Sequence, residues 1–449
     1  MSPDLAHYLR RTAPRYTSYP TAPHFNADVD GAVYGDWLEA LHPGRSLSLY
    51  LHVPFCRRGW WYFGCNMKLA SRYDPIATYV GQLIAELVLG AERLPARFAL
   101  SHIHWGGGTP TALEPDDLER VMDAVRARFN LTPDVELAIE SDPRTLTAEM
   151  TARIGRLGFN RASFGVQEFD PQVQTAINRV QPPDMVRQAV DGLREAGVTG
   201  INFDLIYGLP HQTVDTLNHT IELCADMAPD RIALFGYAHV PWMAKKQRMI
   251  DEATLPDAAA RLDQAFGAAA RLKSAGYAAI GLDHFALPHD ALAQAARAGS
   301  LKRNFQGYTT DDAEALIGVG ATAIGRLPQG YTQNYGETGA WARTVEAGRL
   351  PTAKGRAFVG EDRLRGAVIE ALMCSGAADL SALAAQYGAR PDWGRPELNR
   401  LKPLVQDGLV VIAGHRIHLT PQGEQFARLV ASAFDEYLPK AQARHSVAV

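Results

Sequence analysis

Short apolar runs alternate with amphipathic stretches from about residue 47 to residue 237. Strands are predicted over Leu47–Val53, Leu100–Trp105, Val135–Glu140, Arg161–Val166, Ile201–Tyr207 and Arg231–Tyr237. Helical patterns lie between them, near Ile76–Leu94, Pro115–Phe129, Thr147–Leu157, Asp184–Ala196 and Val214–Met227. Strands that are separated by single helices form parallel sheets with right-handed crossovers. We therefore predict an α/β fold in which six β/α units form a barrel, complete or partial.

Polar residues recur where these predicted strands end. Gly106-Gly107-Gly108-Thr109 follows the second strand, Glu140 ends the third, Gln167 follows the fourth, Asp204 lies in the fifth and Tyr237-Ala238-His239 ends the sixth. In a β/α barrel these positions share the C-terminal mouth, where such folds hold their active sites. The pattern predicts a functional site there.

The segments before and after this region do not continue its alternation of strands and helices. Residues 1–45 are predicted as an N-terminal arm with a short helix, residues 46–290 as the barrel and residues 291–449 as a mainly helical domain. Gly318 to Gly325 is rich in small residues and is expected to pack closely against other backbone. Helices followed by Leu409–Ile412 and Arg416–Leu419 resemble a winged helix. The segment lacks a basic stripe, so a packing role is favoured over DNA binding.

Composition limits the class of protein further. The 449 residues carry a formal net charge of −4, which gives no support to nucleic-acid binding. Four cysteines in so long a chain do not make a disulfide framework and favour a reducing, cytoplasmic setting. The N-terminus lacks a secretory apolar core, and no apolar run is long enough to span a bilayer. We predict a cytoplasmic monomer without membrane or nucleic-acid partners.

A cysteine follows the first strand directly. Pro54 breaks the strand, and Cys56 opens a loop that also contains Cys65. Closely spaced cysteine thiolates on one loop are the ligands of iron–sulfur clusters. The other two cysteines, Cys224 and Cys374, fall in predicted helical regions and are interpreted as buried small hydrophobic residues.

Several motifs together resemble the oxygen-independent coproporphyrinogen III oxidases, a family of the radical S-adenosylmethionine (SAM) superfamily. The resemblance runs nearly end to end and rests on Pro14-Arg15-Tyr16-Thr17-Ser18-Tyr19-Pro20-Thr21, Tyr50-Leu51-His52-Val53-Pro54-Phe55-Cys56, His104-Trp105-Gly106-Gly107-Gly108-Thr109-Pro110-Thr111, Gly165-Val166-Gln167, Asp204-Leu205-Ile206-Tyr207-Gly208-Leu209-Pro210 and Asn304-Phe305-Gln306-Gly307-Tyr308-Thr309-Thr310. It implies a partial barrel with an N-terminal arm and a helical C-terminal domain.

The resemblance also implies a chemistry. The family uses a [4Fe–4S] cluster and two SAM molecules to form a 5′-deoxyadenosyl radical, and two substrate propionates become vinyl groups with loss of carbon dioxide. The positions that match SAM contacts are Tyr50, Tyr62, Gly107, Gly108, Thr109, Glu140, Gln167, Arg179, Asp204, Ala238 and Ile324, and Gln306 lies in the substrate-side loop. Glu140, Arg179 and Asp204 also have purely structural interpretations, as ion-pair, surface or local capping residues.

The cluster motif departs from the family pattern. The family spacing C-x3-C-x2-C places its three iron ligands at Cys56, Trp60 and Phe63, while Cys65 matches a further cysteine that is not an iron ligand. Indole and phenyl rings cannot replace thiolates. We therefore predict a folded chain that has no functional cofactor or metal and is not an enzyme as written, with residual binding of SAM or a tetrapyrrole possible. The alternatives are an active oxidase with unusual cluster ligation and a non-catalytic protein that binds a tetrapyrrole or SAM.

Overall fold

The computed structural model describes residue 8 and residues 11–62 and 67–438. Its strands are β1 (Ser46–Val53), β2 (Phe55–Cys56), β3 (Lys68–Leu69), β4 (Ala99–Gly107), β5 (Asn130–Ser141), β6 (Arg161–Gln167), β7 (Gly200–Tyr207), β8 (Arg231–Gly236), β9 (Ala278–Ile280), β10 (His284–Ala286), β11 (Lys302–Asn304), β12 (Gly307–Thr309), β13 (Ala315–Val319), β14 (Ile324–Leu327), β15 (Gly330–Asn334), β16 (Thr352–Ala357), β17 (Ala377–Asp379), β18 (Val410–Ala413) and β19 (Arg416–Leu419).

The α-helices are α1 (Gly31–Glu39), α2 (Asp74–Glu92), α3 (Pro115–Arg128), α4 (Ala148–Arg156), α5 (Pro171–Ala176), α6 (Pro183–Glu195), α7 (Val214–Asp226), α8 (Ala258–Ser274), α9 (Ala291–Ala298), α10 (Thr338–Glu346), α11 (Asp362–Ser375), α12 (Leu380–Gln386), α13 (Arg395–Arg400), α14 (Lys402–Gln406) and α15 (Ala427–Ser432). Short 3₁₀ helices cover Ala22–His24, Pro110–Ala112, Lys245–Met249, Glu252–Thr254 and Glu424–Phe426. Among the described helices, none is both long enough and apolar enough to cross a membrane.

The chain forms two compact units that are discontinuous in sequence. One comprises residues 25–271 and 311–357, and we call it the barrel unit. The other comprises the described parts of residues 1–24, 272–310 and 358–449, and we call it the terminal unit. The three domains predicted from the sequence, residues 1–45, 46–290 and 291–449, stay a prediction.

Parallel strands form the core of the barrel unit. Its strands lie in the order β16-β15-β14-β13-β1-β4-β5-β6-β7-β8. Each neighbouring pair from β1 through β4 to β8 is parallel, with registers such as Leu51↔Trp105 and Phe164↔Phe203. Both faces of these strands are largely buried, which explains their nearly continuous apolar sequences. The predicted partial (β/α)6 barrel is confirmed.

Four strands extend this sheet beyond β1. Strand β13 pairs in parallel with β1, and β14, β15 and β16 follow as antiparallel strands. The turn between β13 and β14 has the close backbone packing that was predicted for its small residues. A Cβ atom at Gly318 would lie 2.6 Å from the Ile324 carbonyl oxygen, and one at Gly320 would lie 2.6 Å from the His52 carbonyl oxygen.

The terminal unit is mainly helical. Its buried core combines α11 and α15 with residues of the N-terminal segment, including Tyr16 and Tyr19. The Tyr16 hydroxyl donates to Asp435 at 3.1 Å, and Arg428 donates to the Pro14 carbonyl at 3.0 Å. The described N-terminal segment is therefore packed within this unit. The segment around Gln306, which was expected to be a substrate-side loop, forms the turn of the β11–β12 hairpin.

Candidate functional site

The glycines at the end of β4 form a backbone cradle. Gly107 has φ +116°, a conformation that favours glycine, and its N–H donates to Glu140 Oε2 at 3.0 Å. A Cβ atom at Gly107 would lie 2.7 Å from the His52 ring, and one at Gly108 would lie 2.6 Å from the Phe55 carbonyl oxygen. These positions need glycine so that the strand end can approach the loop after β1.

Aromatic and imidazole rings line the cradle beside Glu140. The Tyr50 ring stacks on His104 with centroids 5.9 Å apart, and His104 Nε2 lies 3.3 Å from Glu140 Oε1. The Tyr50 hydroxyl lies 3.0 Å from His52 Nδ1. Burial lowers the pKa of His52 to about 4, against a smaller opposing effect of Glu140. His52 is therefore neutral at physiological pH and serves as a hydrogen-bonding group.

A second carboxyl group faces Glu140 from β7. Burial, and then the negative charge of Glu140, raise the pKa of Asp204 to about 7, although Arg179 and His104 act in the opposite direction. The carboxyl oxygens of Asp204 and Glu140 can accept hydrogen bonds from hydroxyl and ammonium groups of a ligand.

Gln167 closes this side of the cradle with an unused acceptor. It ends β6 with φ +68° and is 7% exposed. Its Oε1 atom is buried without a hydrogen-bond partner among the described residues. A buried acceptor without a partner is costly unless a ligand donor satisfies it.

The sequence did not single out Glu168, which fixes the turn after Gln167. Its buried carboxylate accepts from the N–H groups of Phe169 at 2.8 Å and Asp170 at 3.1 Å, from Gln212 Nε2 at 2.7 Å, and from the Thr220 hydroxyl. Burial raises its pKa to about 7. The only sequence signal was its place directly after the Gly165-Val166-Gln167 motif.

The loop that begins at Cys56, which we call the cysteine loop (residues 56–70), is described except for residues 63–66. Phe63 and Cys65 therefore lie outside the described residues. Cys56 is 1% exposed, its Sγ lies 3.5 Å from Thr109 Oγ1, and burial raises its thiol pKa. Trp60 is 3% exposed and lies in the same apolar cluster as Cys56.

Arg179 directs its guanidinium group towards this loop and makes three hydrogen bonds. It donates to the Gly165 carbonyl at 2.6 Å, to Gln181 Oε1 at 3.2 Å and to the Tyr62 hydroxyl at 3.3 Å. Its guanidinium carbon lies 4.3 Å from the Trp60 ring centroid. These hydrogen bonds use three of the five guanidinium N–H groups and leave one N–H on each Nη atom.

The remaining predicted positions lie at other strand ends. Ala238 follows β8, and its carbonyl accepts from Gln247 Nε2 at 3.1 Å. The same Gln247 nitrogen donates to the Tyr62 carbonyl at 2.9 Å, a link between the loop and β8 that had no sequence signal. Ile324 begins β14 in the barrel unit. Gln306 belongs to the terminal unit, in the turn between β11 and β12, where its N–H donates to Asn304 at 2.9 Å.

The side chains at this site fit SAM, but they do not supply the three thiolates that the family uses for its [4Fe–4S] cluster. Glu140, Asp204 and the Gln167 oxygen offer acceptors that suit the hydroxyl and amino groups of SAM, whereas the Gly107 and Gly108 N–H groups already donate to Glu140 and to the Val53 carbonyl. A three-thiolate ligand set of the family spacing is not matched, because the loop sequence contains two cysteines, Cys56 and Cys65. The described residues also contain no group of three His, Cys, Asp or Glu side chains that could hold a metal ion.

Comparisons with known proteins define the lineage. The chain matches the Radical SAM superfamily over residues 79–224 and the HemN C-terminal domain over residues 360–426. It is 50% identical over 450 residues to an oxygen-independent coproporphyrinogen III oxidase of Bradyrhizobium diazoefficiens, covering 100% of both chains. A corresponding protein of Paracoccus denitrificans is 42% identical over 97% of this chain and 96% of its own. The structure of coproporphyrinogen III oxidase (HemN) from Escherichia coli aligns with TM-score 0.90 and 38% identity, covering 94% of this chain and 97% of that one.

These relatives correct one prediction from the sequence. The prediction that the chain is not an enzyme conflicts with its similarity, over the full length, to proteins that are named oxidases. The loss of two cysteines from one loop was given too much weight against the rest of the chain. The chain is an oxidoreductase by lineage, and its superfamily uses a [4Fe–4S] cluster and SAM. It belongs to the oxygen-independent coproporphyrinogen III oxidase family.

Proposed function

We propose that this chain oxidises coproporphyrinogen III to protoporphyrinogen IX, with SAM as the second substrate and an iron cluster held by an unusual ligand set. In this reaction two propionate side chains lose hydrogen and carbon dioxide and become vinyl groups. The proposal is supported by the 50% identity over the whole length to a protein that is named as such an oxidase. We further propose a cytoplasmic location and a monomeric state.

The observation that carries the proposal is the polar cradle at the strand ends. Glu140 and Asp204 offer carboxyl oxygens, and Gln167 Oε1 is a buried acceptor without a partner among the described residues. The turn at Gly107 and Gly108 packs closely against His52 and Phe55, and only glycine fits at these two positions. We propose that this cradle holds the ribose and amino groups of SAM. When bound, SAM supplies the oxidising equivalents for the reaction.

Iron ligation is the part of the proposal that the described residues do not supply. Cys56 provides one thiol, and Cys65 is the second thiol in the loop sequence. Positions 60 and 63 carry rings that cannot ligate iron. A cluster with three protein ligands therefore needs two ligands from outside the family spacing, and Cys65 can supply only one of them.

The test compares three proteins after anaerobic reconstitution with iron and sulfide. They are the unaltered chain, the double variant Trp60→Cys with Phe63→Cys, and the variant Cys56→Ala. Iron content, the release of methionine from SAM, and vinyl-containing porphyrin after oxidation are measured for each. The proposal expects the unaltered chain to take up iron and form the vinyl product, and expects Cys56→Ala to lose both.

The double variant is the control for assay conditions because it restores the family spacing. Conversion of coproporphyrinogen by the double variant, together with no conversion by the unaltered chain, would overturn the proposed activity. Calorimetric titration of SAM into the metal-free chain tests the cradle separately. Binding that is abolished by Glu140→Ala supports the cradle, whereas binding that is unchanged by this substitution contradicts it.

A further inference from the structure

We infer that the cysteine loop folds around the Trp60 side chain, so that its folded form does not require iron. The inference concerns how the loop is held and does not depend on the proposed activity. It arises from the mismatch between the family's thiolate spacing and the rings at positions 60 and 63. In the family pattern position 60 is an iron ligand, whereas here it carries the largest side chain available.

Burial shows that the indole is part of a core. Trp60 is 3% exposed and Tyr62 is 5% exposed, and their rings stack with centroids 6.5 Å apart. They pack in one apolar cluster with Val173 and Ile177, which lie in and directly after the short helix α5. A tryptophan that is buried to this degree contributes a large area of apolar contact. The bulky ring therefore fills the space beside Cys56 and does not push the loop outward.

Two guanidinium groups contact the same indole. The guanidinium carbon of Arg179 lies 4.3 Å from the Trp60 ring centroid, and that of Arg144 lies 5.4 Å from it. Both distances are within the range of cation–π attraction, for which tryptophan is the best partner. Arg144 is itself fixed by two hydrogen bonds to Asp142, at 2.9 and 2.6 Å. The ring thus connects the loop to the ends of β5 and β6 through positions that are already rigid.

Backbone hydrogen bonds fix the loop on either side of the ring. The Trp61 N–H donates to the Ile177 carbonyl at 3.1 Å, and Asn178 Nδ2 donates to the Gly59 carbonyl at 2.8 Å. The segment that ends the loop is also fixed by a backbone hydrogen bond, because the Ala70 N–H donates to the Cys56 carbonyl at 3.1 Å. The described parts of the loop, residues 56–62 and 67–70, are therefore fixed by side-chain packing and backbone pairing.

The test is hydrogen exchange of the full-length protein, followed by mass spectrometry. The amides of Trp61 and Ala70 report on the loop, and peptides from β7 report on the barrel core. Exchange is measured after removal of metal with a chelator and again after anaerobic addition of iron and sulfide. We expect the two loop amides to be equally protected in both states. Loop amides that exchange freely without metal and become protected on addition of iron would overturn the inference.

Two neighbouring tryptophans provide a matched pair of variants. Trp60→Ala removes the buried ring that contacts Arg179, and Trp61→Ala removes the half-buried ring beside it. We expect Trp60→Ala to speed exchange of the loop amides by about tenfold or more while β7 stays protected. Trp61→Ala should change loop exchange much less. Equal effects of the two substitutions would contradict a special role for Trp60, and Trp60→Phe should retain most of the protection.

Discussion

The substitution Asp204→Asn should make the barrel unit more stable, and the gain should depend on pH. In the folded protein burial and Glu140 raise the pKa of Asp204 from its ordinary value of 3.8 to about 7. Between these two values the folded state retains a proton that the unfolded chain has released. Stability therefore falls as pH rises through this window, and the full penalty is present above about pH 7. An amide at position 204 does not titrate and escapes this penalty.

The size of the effect follows from the two pKa values. One pKa unit is worth about 1.36 kcal/mol, so a change from 3.8 to about 7 corresponds to about 4 kcal/mol. Near pH 4 the variant and the unaltered protein should have nearly equal stability. The difference should grow by about 1.4 kcal/mol for each pH unit and level off above pH 7. Glu86 and Glu168, whose pKa values are also raised to about 7, titrate in the same window in both proteins.

Thermal and urea unfolding, followed by circular dichroism at constant ionic strength, measures this difference at several pH values. Asp215→Asn is the matched control, because it removes the same charge from an exposed position in the first turn of α7. We expect the control to show no comparable dependence on pH. If Asp204→Asn and the unaltered protein differ by the same amount at about pH 5 and about pH 8, the raised pKa assigned to Asp204 is wrong.

Three further substitutions test other parts of the structure. Glu86→Gln should lower the free energy of unfolding by about 1–3 kcal/mol. The buried carboxylate accepts hydrogen bonds from three donors, and an amide would replace one acceptor oxygen with a donor. Thermal melting measures the loss of stability. Gly107→Ala should weaken SAM binding, measured by calorimetry, by about tenfold or more. The residue has φ +116°, and the added Cβ would lie 2.7 Å from the His52 ring. Unchanged affinity would show that the turn does not shape the cradle. Arg365→Met should destabilise the terminal unit by about 3–5 kcal/mol, because the buried Glu397 carboxylate, 3.1 Å from Arg365, would lose its charged partner. Urea unfolding measures this loss, with Arg363→Met as the control.

Strand and helix positions in the barrel unit could be predicted because their signals are local. Pro115 at the first turn of α3 and the acidic residues after it mark a helix start, and the predicted Pro115–Phe129 differs from Pro115–Arg128 by one residue. Strand β5 shows the limit of this approach. It begins at Asn130 and not at Val135, because pairing with Ala99 of β4 recruits a polar segment that contains Pro133. Tertiary pairing decided that boundary, and the segment's own propensity did not.

The sequence predicted those residues of the candidate site that lie at the C-terminal ends of strands. Glu140, Gln167 and Asp204 were found because parallel strands bring their C-terminal ends to one edge. Gln247 was missed because its two acceptors, the Tyr62 and Ala238 carbonyls, come from distant segments, and a lone glutamine in a short 3₁₀ helix carries no pattern. Long-range hydrogen bonds of this kind follow from the fold and cannot be read from spacing.

Trp60 shows why a lost motif does not by itself define a lost site. From the sequence, an indole at an iron-ligand position counts only as a missing thiolate. In the structure the same indole lies 4.3 Å from the Arg179 guanidinium, which also donates to Gly165 and to Tyr62. Arg179 therefore holds the loop and the end of β6 together through three of its five N–H groups. Its charge also acts on Asp204 in the cradle, so the packing of the loop around Trp60 and the recognition of SAM are coupled through Arg179.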